Sequence, residues 1–149
     1  MNSIDLQKKM TDFEDACRGA GLKLTHQRLE IYRELAMSKD HPSAETLHKR
    51  LKKKLPTISL DTIYRTLSTF EEKNLIKRVQ TVESQARFEA QMNQHHHLIC
   101  DKCKQIIDFQ WTGFDDVDLP DEIAQIGQIR NKNVILLGTC RNCLEKQKK

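Results

Sequence analysis

The chain of 149 residues contains no apolar run approaching the roughly 18 residues that a membrane-spanning helix requires. Its opening residues, Met1-Asn2-Ser3-Ile4-Asp5, lack the basic-then-apolar pattern of a secretory signal, so a cytoplasmic location is expected. Glycine and proline are scarce, at five and three residues, and neither an internal repeat nor a low-complexity segment interrupts the sequence. Neither HExxH nor HxE occurs, which removes the general base that a zinc hydrolase or deaminase would place beside its metal. What remains, 38% hydrophobic and 31% charged, is the composition of a soluble globular protein of one ordinary domain or two small ones.

The net charge of +4 is unevenly spread. Residues 1–85 hold 16 Lys and Arg against 12 Asp and Glu, whereas residues 86–149 hold nine of each. A basic front half and a neutral back half fit a nucleic-acid partner for the first part only.

Apolar positions from Ile4 to Ala20 recur at helical spacing and stop at Gly19 and Gly21. Thr25 can cap a helix over 26–37, and Ser43 one that runs through Leu47, Leu51 and Leu55 to Pro56. Ser59 can cap a fourth, over 60–73, with Leu60, Ile63, Leu67 and Phe70 on one side and Thr62, Arg65, Thr66 and Thr69 on the other. Small hydroxyl residues around an arginine suit the floor of a DNA groove better than an idle solvent face. Leu75–Gln80 and Gln85–Glu89 then alternate as a hairpin. Helices ending in a basic hairpin spell a winged helix-turn-helix over 1–88. A linker follows over 89–94. Residues 95–149 read as a smaller α/β domain, with strands at 97–99, 105–111 and 133–137, a helix over 118–126 with Pro120 in its first turn, and a frayed basic tail over 146–149. The fold class expected is α+β.

Four of five cysteines form two CxxC pairs, Cys100 with Cys103 and Cys140 with Cys143. In a reducing compartment such pairs offer four thiolates to a tetrahedral, closed, structural zinc ion rather than two disulfides. Cys17, inside the first helical stretch, reads as a packed thiol. His95 and His97 alternate, so in an extended chain they share a face and can chelate one ion together while His96 points away. Glu89, Asp108 and His41 are the candidates to complete a first-row divalent site.

Several stretches together are similar to the ferric uptake regulator (Fur) family of metal-dependent transcriptional repressors. They are Gly21-Leu22-Lys23-Leu24-Thr25-His26-Gln27-Arg28, His41-Pro42-Ser43-Ala44, Ser59 to Leu67, Arg87-Phe88-Glu89, His95 to Cys100 and both CxxC pairs. The resemblance implies a homodimer with a C-terminal dimerisation domain, binding palindromic AT-rich operators in double-stranded DNA. It assigns the four CxxC cysteines to structural Zn2+, and His41, Glu89, His95, His97 and Asp108 to regulatory Fe2+ or Mn2+. It places Tyr64 and Arg65 on the DNA from the recognition helix and Lys23 in the minor groove. A further family site with a histidine before the last strand has no counterpart in Arg130-Asn131-Lys132-Asn133. That absence and Asp108 resemble the peroxide-sensing (PerR) branch, in which hydrogen peroxide would oxidise His41 or His95. Glu89, where peroxide sensors carry Asp, resembles the iron-sensing branch, which implies an iron- or manganese-responsive repressor instead. A zinc hydrolase or a zinc-ribbon adaptor is the remote alternative; the adaptor leaves the Arg65 face unexplained, and no enzymatic activity is expected.

Overall fold

A computed structural model describes residues 3–79, 81 and 85–147. Gln80, where the first strand of the hairpin was expected to end, and Lys148 and Lys149 of the expected frayed tail lie outside the described residues. The chain divides into two compact units between Met92 and Asn93.

The first unit runs α1 (Ser3–Gly19), α2 (His26–Met37), α3 (Ala44–Leu51), α4 (Leu60–Glu72), β1 (Lys77–Val79) and β2 (Arg87–Glu89). Local chemistry sets most of these boundaries. Thr25, Ser43 and Ser59 each sit in extended backbone and accept from the amide three residues on, which satisfies one of the orphan donors at the start of α2, α3 and α4. After α1, Gly21 takes a φ of 70° while its amide donates to Arg18 O and that of Leu22 to Cys17 O. Asn74 repeats this left-handed stop after α4 at φ 59° and sends the chain into β1. β1 and β2 pair antiparallel, Lys77 opposite Glu89. The helical faces converge on Phe13, Tyr32 and Phe70, with the first two rings stacked at 3.8 Å and Phe70 edge-on to both. Cys17 is buried in the same core, and burial raises its thiol pKa.

Two expectations are corrected here. α3 ends at Leu51, not at Leu55, because Pro56 disfavours helical backbone at the preceding residue, and Lys52–Leu55 fold into a turn on the Leu51 carbonyl. Thr66 is buried, its hydroxyl donating back to Thr62 O at 2.8 Å. The open face of α4 is instead Asp61, Tyr64, Arg65 and Ser68.

The second unit runs β3 (His96–Cys100), β4 (Ile106–Phe109), α5 (Thr112–Asp115), α6 (Asp121–Ile126), β5 (Ile135–Gly138) and α7 (Arg141–Gln147). β3 is central, antiparallel to β4 and parallel to β5. α6 begins at Asp121 rather than 118, since Pro120 stays extended as its cap and keeps Leu119 out of helical backbone. α5 and α7 were not foreseen; four and seven residues are too few to show an apolar period. Beyond Cys100 and Cys140, only Ile99 and Ile106 are buried apolar residues among those described here. The edge strand β5 leaves Ile135, Leu136 and Leu137 exposed.

Candidate metal centres

The parallel register of β3 and β5 sets Cys100 opposite Gly138, two residues before Cys140. The Asp101 amide donates to Gly138 O at 2.7 Å, and Thr139 Oγ1 donates to the Asp101 carboxylate at 2.9 Å. Cys100 to Lys104 turn back as a knuckle, closed by the Lys104 amide on Cys100 O with Lys104 left-handed at φ 65°. Cys140 sits just before α7 and Cys143 in its first turn.

All four sulfurs come within 4.8 Å of one another. Cys100 Sγ stands 3.8 Å from Cys143 Sγ, and Cys103 Sγ 3.7 Å from Cys140 Sγ. A tetrahedron with Zn–S bonds of about 2.3 Å has edges of about 3.8 Å, so the set fits a structural zinc ion. The amides of Cys140, Cys103 and Lys102 lie 3.3, 3.5 and 3.4 Å from Cys100 Sγ. These donors, Cys140 first, lower the Cys100 thiol to about 6 and favour the thiolate that zinc requires. With four protein ligands the ion keeps no open position for a substrate or activated water.

The nitrogen and oxygen donors fall into two groups, one in each unit. In the first unit His41 Nε2 lies 3.0 Å from Glu89 Oε2, and both side chains are buried. His41 holds a left-handed φ of 52° in the loop before α3, and Glu89 closes β2. In the second unit His97 faces Asp108 across the β3–β4 pair, with Nε2 3.3 Å from Oδ1. His95 Nε2 lies 3.8 Å from the same oxygen, and its ring stands edge-on to that of His97. His95 Nδ1 donates to Asn93 O at 2.7 Å, which orients the ring with Nε2 on the carboxylate side. Donors held about 2.1 Å from a divalent ion stand about 3.0 Å apart in octahedral and about 3.4 Å in tetrahedral geometry, so each group has ligand spacing. Strand alternation sends His96 to the opposite side. There Nε2 donates to Asp115 at 2.8 Å, Nδ1 accepts from the Val134 amide, and Phe109 and Phe114 enclose the ring.

A zinc set of four thiolates, an imidazole–carboxylate set and a winged helix-turn-helix are together what a metal-responsive DNA-binding protein requires. The model of the ferric uptake regulator family matches residues 19–134. The chain belongs to that family. The peroxide-responsive repressor PerR of Staphylococcus epidermidis is 33% identical to it over 128 residues, covering 86% of this chain and 85% of the relative. The Helicobacter pylori ferric uptake regulator Fur, whose structure is described as revealing three functional metal binding sites, has a TM-score of 0.74 at 25% identity over 93% of both chains. A zinc-bound manganese uptake regulator has a TM-score of 0.66 at 30% identity, over 86% of this chain and 98% of its own. The protein is a metal-responsive repressor of the ferric uptake regulator family. No helix of the described residues is long and apolar enough to cross a membrane.

Around α4, the positions singled out from sequence differ in what they leave available. Tyr64 is exposed and donates its hydroxyl to Glu45 of α3, which lowers the Glu45 carboxyl pKa and raises that of the phenol. Arg65 is more exposed still, its Nε 3.0 Å from Asp61 Oδ2 in the preceding turn. Thr62 is half-buried, and its hydroxyl shares a hydrogen bond with the capping Ser59. Lys23 is exposed, its carbonyl accepting from Arg28. Sequence reasoning missed three supporting residues. Asp115 orients His96. His48 bridges α3 to Ile58 O at 3.0 Å. Arg87 reaches the carbonyls of Asp40 and His41; it stood within a stretch that carries the family resemblance and alternates with Glu89, but neither signal gave it a role.

Proposed function

We propose that the protein is a peroxide-sensing, metal-gated repressor that binds double-stranded operator DNA as a homodimer. One iron ion takes ligands from His41, Glu89, His95, His97 and Asp108, joining the two units and setting the angle between them. The observation that carries this reading is the ligand spacing of the donors within each unit, 3.0 Å for the buried His41–Glu89 pair and 3.3 Å between buried His97 and the more open Asp108. Iron held there would activate hydrogen peroxide toward a ligand ring: one peroxide oxygen would be inserted into the imidazole of His41 or His95, which is oxidised by two electrons, and the other would leave as water. The exposed apolar edge of β5 supports the homodimer, because an uncovered hydrophobic edge strand invites a second copy. Dimerisation presents two recognition helices to successive major grooves of a palindromic, AT-rich operator, at a spacing the ion controls.

Mass spectrometry of the ferrous protein after mild peroxide treatment tests this. A gain of about 16 Da, one oxygen atom, on the peptides of His41 or His95 is expected. Intact histidines with iron- or manganese-dependent DNA binding would select the second reading, a repressor that responds to the ion alone. The longer carboxylate Glu89 favours that reading.

Tyr64, Arg65, Thr62 and Lys23 contact the operator in this scheme, and Arg65 is the most informative. Its ion pair with Asp61 is exposed and weak, so the guanidinium is readily redirected to a base edge. Arg65→Ala is expected to weaken operator binding by about 10- to 100-fold, as loss of one bidentate base contact of about 1–3 kcal/mol does. Gel filtration of the variant should still show the dimer. Wild-type operator affinity in Arg65→Ala would remove Arg65 from the interface.

A further inference from the structure

We infer that Arg87 is a positioning residue for the regulatory ion, acting through His41; this rests on the reading of His41 and Glu89 as ligands. Arg87 lies two residues before Glu89 on β2, so the two side chains leave the strand on the same face, while Phe88 between them is buried in the core. That face meets the loop carrying His41. Arg87 Nε donates to the carbonyl of His41, and its Nη2 donates to that of Asp40 at 2.7 Å. The backbone joins them as well: the Phe88 amide donates to Pro42 O at 3.1 Å, and Ser43 bridges to Arg87. From the other side Arg50 of α3 grips the Asp40 carboxylate, at 2.5 and 3.2 Å, and the Ser38 hydroxyl. Arg50 thereby holds the Asp40 carboxyl pKa below its ordinary value.

The loop needs this restraint. His41 is a non-glycine residue at φ 52°, a conformation that relaxes unless its surroundings hold it. A guanidinium meets two successive carbonyls at once, because its donors point in fixed directions from one plane; an ammonium is a single point. Arg87 therefore fixes the backbone that aims the His41 ring, from the same strand that delivers Glu89 3.0 Å away. β2 is also the returning strand of the hairpin, so what holds His41 is part of the wing. Local order at the ion site and at the wing is then one mechanical unit.

Arg87→Lys and Arg87→Gln in the full-length, zinc-loaded protein test the inference, with Mn2+ as the probe and calorimetry reporting its affinity. Both variants are expected to lose at least about tenfold in Mn2+ affinity, the size of effect seen when a partner orienting a metal ligand is removed. Lysine should not rescue, since what is lost is the two-carbonyl geometry and not the charge. In a His41→Ala background, Arg87→Lys should lower Mn2+ affinity no further, whereas a general effect on folding would add. Mn2+ affinity in Arg87→Lys within about twofold of wild type, or a full additional loss in the His41→Ala background, would overturn the positioning role. Should Arg87→Gln not fold, Arg87→Lys decides alone. A wild-type zinc protein that takes up no Mn2+, or one whose Mn2+ affinity is unchanged by His41→Ala, would instead remove the ligand reading on which the inference stands.

Discussion

Cys100→Ser is expected to release the zinc ion and unfold the second unit while the helices of the first remain. Two magnitudes lead there. The main hydrophobic core, from Met10 to Phe88, belongs entirely to the first unit, whereas among the described residues of the second the buried apolar side chains are Ile99 and Ile106 besides two cysteines. Apolar burial at about 1.5–3 kcal/mol per side chain cannot offset backbone ordering at about 1–2 kcal/mol per residue over a unit of this size. Structural zinc contributes about 10–16 kcal/mol in small domains, comparable to the whole stability of an ordinary one. Cys100 is also the most embedded of the four ligands, fully buried at the end of β3 with three amides directed at its sulfur. Trp111 is the chain's one tryptophan and packs on Phe114 in the second unit, so its fluorescence follows that unit alone, and far-UV circular dichroism is dominated by the long helices of the first. The expected outcome is loss of bound zinc and a red-shifted Trp111 emission with most helical signal retained. Cys17→Ser, at a thiol buried within the first unit's core, should keep its zinc. Zinc content and Trp111 emission unchanged in Cys100→Ser would show that the unit stands without the metal.

What could be read in advance was whatever depends on neighbours in the chain. Thr25, Ser43 and Ser59 announce helix starts because each cap reaches only three residues on, and Asn74 announces a stop for an equally local reason. The CxxC pairs are legible because two thiols three positions apart are already a bidentate ligand, wherever the other pair comes from. Legibility fails where the deciding contact is distant. Arg87 meets His41 across 46 positions, and His96 meets Asp115 across 19. Thr66 looked exposed because its hydroxyl counted as polar, yet that hydroxyl is satisfied within its own helix and the residue packs inward. The same limit applies to the donor groups. Alternation pairs His95 with His97, but which carboxylate stands before them follows from the β3–β4 register, which sets Asp108 opposite His97.

Stripping the regulatory ion while zinc is retained is expected to lower operator affinity by about 100-fold, near the upper end of what one coupled site supplies. Each group by itself holds an imidazole against a carboxylate, His41 with Glu89 and His97 with Asp108, at the spacing a divalent ion's ligands require. In the function proposed above, an ion that takes both groups would hold them as one set and restrict the angle between recognition helices to the operator spacing. Zinc in the Cys100 set, inside one unit, has no such leverage, so a chelator strong enough for the nitrogen and oxygen donors but too weak for four thiolates separates the two roles. The coupling must also run backwards: saturating operator DNA should tighten Mn2+ binding by the same factor that Mn2+ tightens DNA binding. His97→Ala removes a buried donor from the middle of the set and should bind the operator at the metal-free level whether or not Mn2+ is added. Fluorescence anisotropy of labelled operator with and without Mn2+, beside Mn2+ titrations with and without operator, measures both sides. Two factors that disagree, or His97→Ala that still responds to Mn2+, would place the gating ion elsewhere.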